Sequence, residues 1–469
     1  MNCRDDPNSP RSSILICCTC PPGMEQTCLG ELAKKLVPLG AGPPHLLDGP
    51  GKGGERGKVL CPVDLAQTDA ALVPALLSLR SVERLYACVL STEVSLAMAP
   101  AKTTKQQLGC VEAAVRAVAH SSWDAAVALV ELCNSYRDAG KMESAATPAA
   151  AKEIRVFADA LASSRYSSQP FTFRVYKRRG GVGHKFTSSE LGQAAYRGIS
   201  QSMPCWTGTL ENEQLSMYVH LHEARLLVCL ALSATAIWRD PAGHGIATKP
   251  GDLSVRRSGQ RALGVANLKP SIAYGMLEHA ILGSSCILLD PLAGSGTILE
   301  LAAAEYPGAV FCLAGDHDMA ACKRAWVNGG GKVDVVRWDA TRLPLRGSCI
   351  DRVVTDLPFG KRCGSRAENT RLYPAVIAET DRVLRPKQCS RAVLLSADRN
   401  AVVKLALGRE GKIGRLQKHR EFSVNVGGLN ATCMVLRRIC EDEPRAARVV
   451  QNRPGSMRLG QKQTAKEPS

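Results

Sequence analysis

Cys286-Ile287-Leu288-Leu289 is a short apolar run that ends in Asp290-Pro291-Leu292-Ala293-Gly294-Ser295-Gly296-Thr297, after which residues 298–304 are helix-forming. A strand, a glycine loop and a helix in that order constrain the fold more than any other stretch. Such a unit needs a parallel neighbour, and it opens a ligand crevice at the carboxyl end of its strand. Gly294 and Gly296 let the backbone approach a ligand closely. Leu292, Gly294, Ser295, Gly296 and Thr297 are therefore expected to line a nucleotide-type cofactor. The dinucleotide fingerprint GxGxxG is not matched, because Leu299 stands where its third glycine is required. A dehydrogenase is disfavoured.

The unit repeats. Residues 309–314 form a second apolar strand ending in Gly315-Asp316, where a carboxylate can accept hydrogen bonds from ribose hydroxyls. Residues 333–337 form a third, followed by Trp338-Asp339-Ala340, where Asp339 can accept from an adenine amine and Ala340 lies beside it. Any one of these carboxylates is also explained as a helix or turn cap. In order, with Asp290 placed to engage an amino-acid end, they fit S-adenosylmethionine. From 268 to 438 strand and helix segments alternate, which predicts an α/β domain with a doubly wound parallel sheet.

The fourth strand, residues 350–355, runs into Asp356-Leu357-Pro358-Phe359-Gly360. This turn resembles the [Asn/Asp]-x-Pro-[Phe/Tyr] motif of amino-methyltransferases. An exocyclic base amine is a poor nucleophile because its lone pair is delocalised into the ring. The Asp356 carboxylate and the Leu357 carbonyl can accept both amine hydrogens and aim the lone pair at a sulfonium methyl. Pro358 stiffens the turn, and Phe359 offers a face on which an extruded base can stack. The bland alternative is a strand-ending turn with a buried Phe.

The remainder reads as two smaller α+β units. In the first, 11–138, an apolar strand at 14–20, a Pro-Pro-Gly turn and an amphipathic helix at 24–36 precede a strand at 59–63. A helix and then a strand cross 72–89, the strand centred on residues 80–85, and helices fill 103–135. Residues 139–151 fit a linker. In the second unit, 152–240, a strand at 171–176 runs into Lys177-Arg178-Arg179-Gly180-Gly181, read as a basic, flexible loop suited to phosphates. A helix at 189–203 and strands at 215–221 and 226–232 follow. Residues 241–261 form a second linker, 262–440 the catalytic domain and 441–469 a polar, disordered tail.

Sixty Lys+Arg against 43 Asp+Glu gives a net charge of +17, which attracts polyanions. Arg174, Lys177, Arg178, Arg179 and Lys185 are the local candidates for RNA contact. The 19 cysteines are scattered through apolar segments and are expected to be reduced. Cys17 and Cys20 form a CxxC without a second ligand pair, so no metal site is expected. Asp5 and Asp6 oppose a signal peptide, and no apolar run approaches a membrane span of roughly 20 residues. A cytoplasmic or nuclear protein with no membrane contact is expected.

Taken together, these segments resemble the THUMP-domain guanosine-N2 tRNA methyltransferases. The resemblance is carried by residues 268–277, Asp356-Leu357-Pro358-Phe359-Gly360-Lys361-Arg362, Leu372-Tyr373-Pro374 and Val424-Asn425-Val426-Gly427-Gly428-Leu429. Gly23-Met24-Glu25 is similar to the start of the family's ferredoxin-like domain, and Phe173-Arg174-Val175 with Phe186-Thr187-Ser188 to its THUMP domain. The resemblance implies a Rossmann-like class I methyltransferase domain preceded by those two domains, and formation of N2-methylguanosine in the tRNA acceptor stem, at guanosine 6. It also implies a heterodimer with a small zinc-binding activator subunit. One departure is Trp206-Thr207-Gly208-Thr209, where the family commonly has Trp-Lys-x-Asp. Two alternatives stay open: methylation of another amine, such as guanine N2 of a small nuclear RNA, and a catalytically silent RNA-binding protein that keeps the fold.

Overall fold

A computed structural model describes residues 13–47, 56–64, 71–94, 103–138, 166–232, 235–238, 247–250, 267–360, 365–387, 389–406 and 412–438. The expected linker at 139–151, most of that at 241–261 and the tail at 441–469 lie outside the described residues.

β1 (Ser13–Thr19) is buried on both faces: Ile14, Ile16 and Cys18 enter one core and Cys17 another, as strand alternation requires. β3 (Lys58–Asp64) and β4 (Arg84–Glu93) flank it, and β2 (His45–Leu46) lies outside β3. α1 (Glu25–Leu36) and α2 (Leu72–Leu77) pack on this sheet. Residues 80–83 precede β4 rather than forming its centre, as the sequence had suggested. α3 (Thr104–Arg116) starts from a capping box in which Thr103 and Gln106 satisfy each other's backbone N–H groups, and α4 (His120–Asp138) follows.

From residue 166 onward come β5 (Thr172–Gly180), α5 (Ser188–Ser202), β6 (Thr207–Gly208), β7 (Leu215–His222) and β8 (Arg225–Ala231). β4 pairs with β8 from Tyr86↔Ala231 to Glu93↔Arg225, so strands from both sides of residues 139–151 join one sheet of order β2-β3-β1-β4-β8-β7-β5-β6. α3 lies against α5, and Trp123, Phe173 and Trp206 share one core with Ile16 and Leu32. The basic stretch Lys177-Arg178-Arg179 is strand, paired to β7 through Gly180↔His222, and not the flexible loop expected from its composition. β7 supplies a ladder partner for each of these residues, and that overrides local propensity. Within the expected second linker, Ala247–Pro250 (β10) pairs with Thr235–Trp238 (β9).

The second large sheet is the expected doubly wound one. Its strands are β11 (Cys286–Asp290), β12 (Val310–Asp316), β13 (Val333–Arg337), β14 (Arg352–Asp356), β15 (Arg391–Ser396), β16 (Lys412–Ile413), β17 (Leu416–Val426) and β18 (Leu429–Arg438). In the order β13-β12-β11-β14-β15-β18-β17-β16 the first five are mutually parallel, and β18 returns antiparallel. The helices α6 (Pro270–Ala280), α7 (Thr297–Glu305), α8 (Met319–Gly329) and α9 (Arg366–Val383) cover it. This is a Rossmann-like methyltransferase fold.

The two halves are fastened together. Met24, from the β1–α1 turn, is 1% exposed and sits in the core of the second half against Gly275, where a Cβ would lie 2.5 Å from its sulfur. The Asn425 N–H donates to the Pro22 carbonyl at 2.9 Å, Lys269 pairs with Glu83 at 2.7 Å and Arg80 with Glu305 at 2.7 Å.

Candidate active site

The parallel order brings the carboxyl ends of β11, β12, β13 and β14 to one edge, and each ends at or beside an aspartate. Asp290 is 2% exposed; its Oδ1 accepts from the Thr355 hydroxyl at 2.7 Å and from the Leu292 N–H at 3.2 Å. The Gly294 N–H donates to Asp316 Oδ2 at 3.0 Å, tying the glycine loop to the end of β12. Asp316 Oδ1 accepts from the Asp318 N–H at 3.0 Å, while Asp318 itself caps α8. Gly294 (φ +55°) and Gly296 (φ +80°) both hold left-handed backbone. A Cβ on Gly294 would meet open space, whereas one on Gly296 would lie 3.0 Å from the Ala325 Cα. Ser295 and Thr297 are buried, with their hydroxyls 3.2 Å apart. A backbone loop open on one side and framed by carboxylates fits the cofactor read from the sequence.

Asp339 is exposed, and its Oδ1 holds the following turn through the Thr341 N–H at 2.8 Å and hydroxyl at 2.7 Å; Ala340 is buried beside it. Two side chains whose contacts the motifs did not indicate brace the cofactor loop. Trp338 Nε1–H donates to the Pro291 carbonyl at 3.0 Å, and Asn328 donates to the Ser295 carbonyl at 2.8 Å.

β14 delivers Asp356 to the same edge. Its Oδ1 is buried and has no hydrogen-bond partner. Burial, and then the neighbouring Asp290, push its carboxyl up to about 8. Burial likewise raises Asp290 to about 7, against the pull of its Thr355 and Leu292 hydrogen bonds. A buried acceptor left unmatched is costly unless a ligand donor completes it. Leu357 is buried and donates its N–H to the Leu395 carbonyl at 2.9 Å, while Phe359 is only partly covered by the core. The Pro358 carbonyl accepts from the Tyr373 hydroxyl at 2.7 Å and from Asn369 Nδ2 at 2.7 Å, both on α9. Tyr373 is fully buried and Asn369 is 2% exposed. No spacing rule links residues 369 and 373 to the turn; only the packing of α9 does.

The five basic candidates do not form one cluster. Arg174, Tyr176 and Arg178 alternate onto one face of β5, with Arg174 5.2 Å over the Tyr176 ring. Lys177 packs against Gly192 of α5, and Lys185 is exposed before α5, where its backbone meets Gln107 and Thr104. Arg174, Lys177 and Arg178 line a groove of about 840 Å³ with Arg84, Tyr196 and Tyr218; Arg179 does not. Trp206 is a core residue, 3% exposed, and Gly208 lies under the Tyr196 ring. Among the described residues no cluster could hold a metal ion, and no helix is long and apolar enough to cross a membrane.

Residues 257–432 match the family described as RMKL-like, methyltransferase domain. The chain is 32% identical to tRNA (guanine(6)-N(2))-methyltransferase THUMP3 of Mus musculus, over 57% of this chain and 52% of that protein. It is 30% identical to the Bos taurus THUMP3, over 66% of this chain and 62% of that protein. The chain thus spans about half to three-fifths of the length of these relatives. Among solved structures, TrmN from Thermus thermophilus aligns with a TM-score of 0.59 at 20% identity, covering 91% of this chain and 100% of that one. That likeness concerns the fold.

Proposed function

We propose that this chain is an S-adenosylmethionine-dependent tRNA methyltransferase that forms N2-methylguanosine in the acceptor stem, at guanosine 6. The observation that carries the reaction type is the buried, unpartnered Asp356 Oδ1 at the end of β14. The substrate follows the THUMP3 relatives, and the strands and helices from Ser13 to Ala231 are read as a ferredoxin-like and a THUMP domain that hold the RNA.

The cofactor, when bound, supplies a sulfonium methyl. Asp290, the loop from Leu292 to Thr297, Asp316, Asp339 and Ala340 would hold it. Asp356 Oδ1 accepts one hydrogen of the guanine amine and the Leu357 carbonyl the other, which pyramidalises the nitrogen. With that methyl delivered to the amine nitrogen, the surplus amine proton would pass to Asp356 Oδ1. Phe359 stacks on the extruded base, a contact worth roughly 1 to 3 kcal/mol. Arg174 and Arg178 hold RNA phosphates. The small zinc-binding activator is the expected partner. Support for it comes from the large apolar side chains exposed on α8 and near the edge strand β13: Phe311 (53%), Met319 (46%), Trp326 (63%) and Val336 (40%).

The test is methyl transfer from labelled cofactor to total tRNA, with and without the activator, followed by mass-spectrometric mapping. Incorporation at N2 of guanosine 6 is expected. Incorporation only into a small nuclear RNA would replace the substrate, and tight RNA binding with no transfer to any RNA would replace the enzyme with a binding protein.

A further inference from the structure

Arg352 opens β14, Arg391 opens β15 and Arg437 stands near the end of β18. The registers Arg352↔Arg391 and Arg391↔Arg437 set these three in one row across adjacent strands. Side chains in register share a face, with the strands about 4.8 Å apart. The row is largely covered: Arg352 is 5% exposed, Arg437 is 9% exposed and Arg391 is half-buried. Like charges placed directly opposite one another destabilise a sheet, and burial strips away the water that would screen them. Packing alone would select against such a row.

Within the row the chain's own groups take up Arg352 and leave one N–H group of Arg391 unmatched. Arg352 caps α6, donating from Nε to the Ala280 carbonyl at 2.8 Å and from Nη2 to the Ile281 carbonyl at 3.0 Å, while its Nη1 donates to the Asp351 carbonyl at 2.9 Å. Asp351 is taken by Arg385 at 2.9 Å and by the Ile287 N–H at 3.0 Å. Arg391 Nη1 is buried without a hydrogen-bond partner. β17 brings two further groups to this face. His419 occupies the irregularity between Lys418 and Arg420, and the Arg420 guanidinium lies 5.5 Å over the Phe422 ring. Burial, then Arg352 and Arg437, hold Arg391 below the usual guanidinium range; burial, then Arg391, Arg437 and Arg420, depress His419.

We infer that the row Arg352, Arg391 and Arg437, rimmed by His419 and Arg420, is a binding site for a phosphate group of an RNA chain, separate from the methyl-transfer cleft. Guanidinium groups match phosphate oxygens in paired hydrogen bonds, and an anion seated on Arg391 supplies the missing acceptor. β14 runs from Arg352 to Asp356, so the site lies about 13 Å along the strand from the catalytic carboxylate, at the opposite end of the sheet. RNA as the source of the phosphate rests on the function proposed above and on the net charge of +17.

The test uses the full chain carrying Arg391→Gln, Arg437→Gln and both together, with Arg391→Lys as the charge-conserving control. Affinity for total tRNA is measured against salt, alongside cofactor affinity and thermal melts with and without inorganic phosphate. The double variant is expected to bind RNA at least about tenfold more weakly at low salt and to lose about two units of the salt slope, with Arg391→Lys keeping the slope. Its cofactor affinity should hold, and its melting point should equal or exceed that of the parent, because like-charge repulsion is relieved. An unchanged salt slope in a variant that still binds cofactor overturns the site. So does a lowered melting point with lost cofactor binding, which would make the arginines structural. If inorganic phosphate protects the parent alone while the RNA slope stays unchanged, the site takes free phosphate and the RNA assignment fails. A parent that binds RNA through these arginines but transfers no methyl group refutes the proposed activity and leaves this site standing.

Discussion

Replacing Asp356 by Asn tests the catalytic carboxyl through stability as well as rate. Asn keeps the shape of the side chain and removes its ionisation. In the folded chain the Asp356 carboxyl is raised from 3.8 to about 8, with burial the main cause and Asp290 the second. A tenfold change in proton affinity is about 1.4 kcal/mol, so the full rise is worth at most roughly 6 kcal/mol. Relaxation and water penetration around an ionised buried carboxylate reduce the effective penalty, to about 3 kcal/mol. The sign follows from linkage: a folded-state value above the unfolded one makes ionisation destabilising. The penalty is absent below about pH 4, grows between pH 4 and 8 and is complete above that. In a catalytic domain of this size 3 kcal/mol is about 6 to 10 °C. Thermal melts of the cofactor-free chain should place Asp356→Asn above the parent by that amount at pH 9 and by about 2 °C at pH 5. The parent's kcat/KM should climb with pH towards a plateau above about 8, as the acceptor ionises, and the Asn variant should lack that limb. A stability difference that does not change with pH, or an Asn variant that melts below the parent at pH 9, would refute the reasoning.

Asp356→Ala deletes the acceptor altogether and should cut methyl transfer by about 100-fold or more while tRNA affinity stays within a few-fold; parallel loss of RNA binding would argue against its role. Tyr373→Phe and Asn369→Ala each remove one donor from the Pro358 carbonyl. Each should lower kcat about tenfold with KM for cofactor and RNA nearly unchanged, and a KM effect at constant kcat would refute positioning. Arg174→Gln with Arg178→Gln should weaken tRNA binding and reduce the salt slope by about one unit per lost contact, whereas an unchanged slope excludes them as phosphate ligands. Trp326→Asp, on the exposed face of α8, should abolish co-purification with the activator subunit without altering cofactor affinity; retained co-purification would remove that face from the interface.

What the sequence revealed, and what it hid, divides along local against long-range physics. The strand ends at Asp290, Asp316 and Asp356 were legible because a parallel α/β unit writes itself in a short window: apolar strand, acidic or glycine turn, helix. The capping boxes at Thr103, Thr187 and Ser365 are equally local. Lys177-Arg178-Arg179 misled because a run of charges beside glycines favours a loop in isolation, and the ladder to β7 is invisible without knowing that β7 arrives as its parallel neighbour. Nor could the window show that β4 and β8 would fuse two small units into one sheet. The bracing roles of Asn369, Tyr373, Trp338 and Asn328 escaped for a related reason. Each acts on a backbone carbonyl of the site from another element, and a contact of that kind leaves no spacing signature.

The same distinction identifies where this chain departs from local rules. A folded domain buries its polar groups in pairs, and most of this chain does so: Glu31, 3% exposed, takes the N–H groups of Arg80 and Ser81, each at 2.8 Å, the Ser81 hydroxyl at 2.6 Å and Lys35 at 2.7 Å. Some buried groups, Glu300 Oε2 and Arg438 Nη1 among them, lack a partner, and two more stand at opposite ends of the adjacent strands β14 and β15. The last residue of β14 carries a buried carboxylate oxygen with no donor, held close enough to Asp290 that the two repel. The first residue of β14 begins a row of guanidiniums whose middle member, Arg391 on β15, has a buried N–H with no acceptor. Stability alone would favour an amide at one end and neutral side chains at the other. Unsatisfied groups of opposite sign at opposite ends of two adjacent strands, Asp356 closing β14 and Arg391 opening β15, fit partners from outside the chain: an amine donor at Asp356 and an anionic acceptor at Arg391. A single strand of RNA carries both, in its bases and in its phosphates.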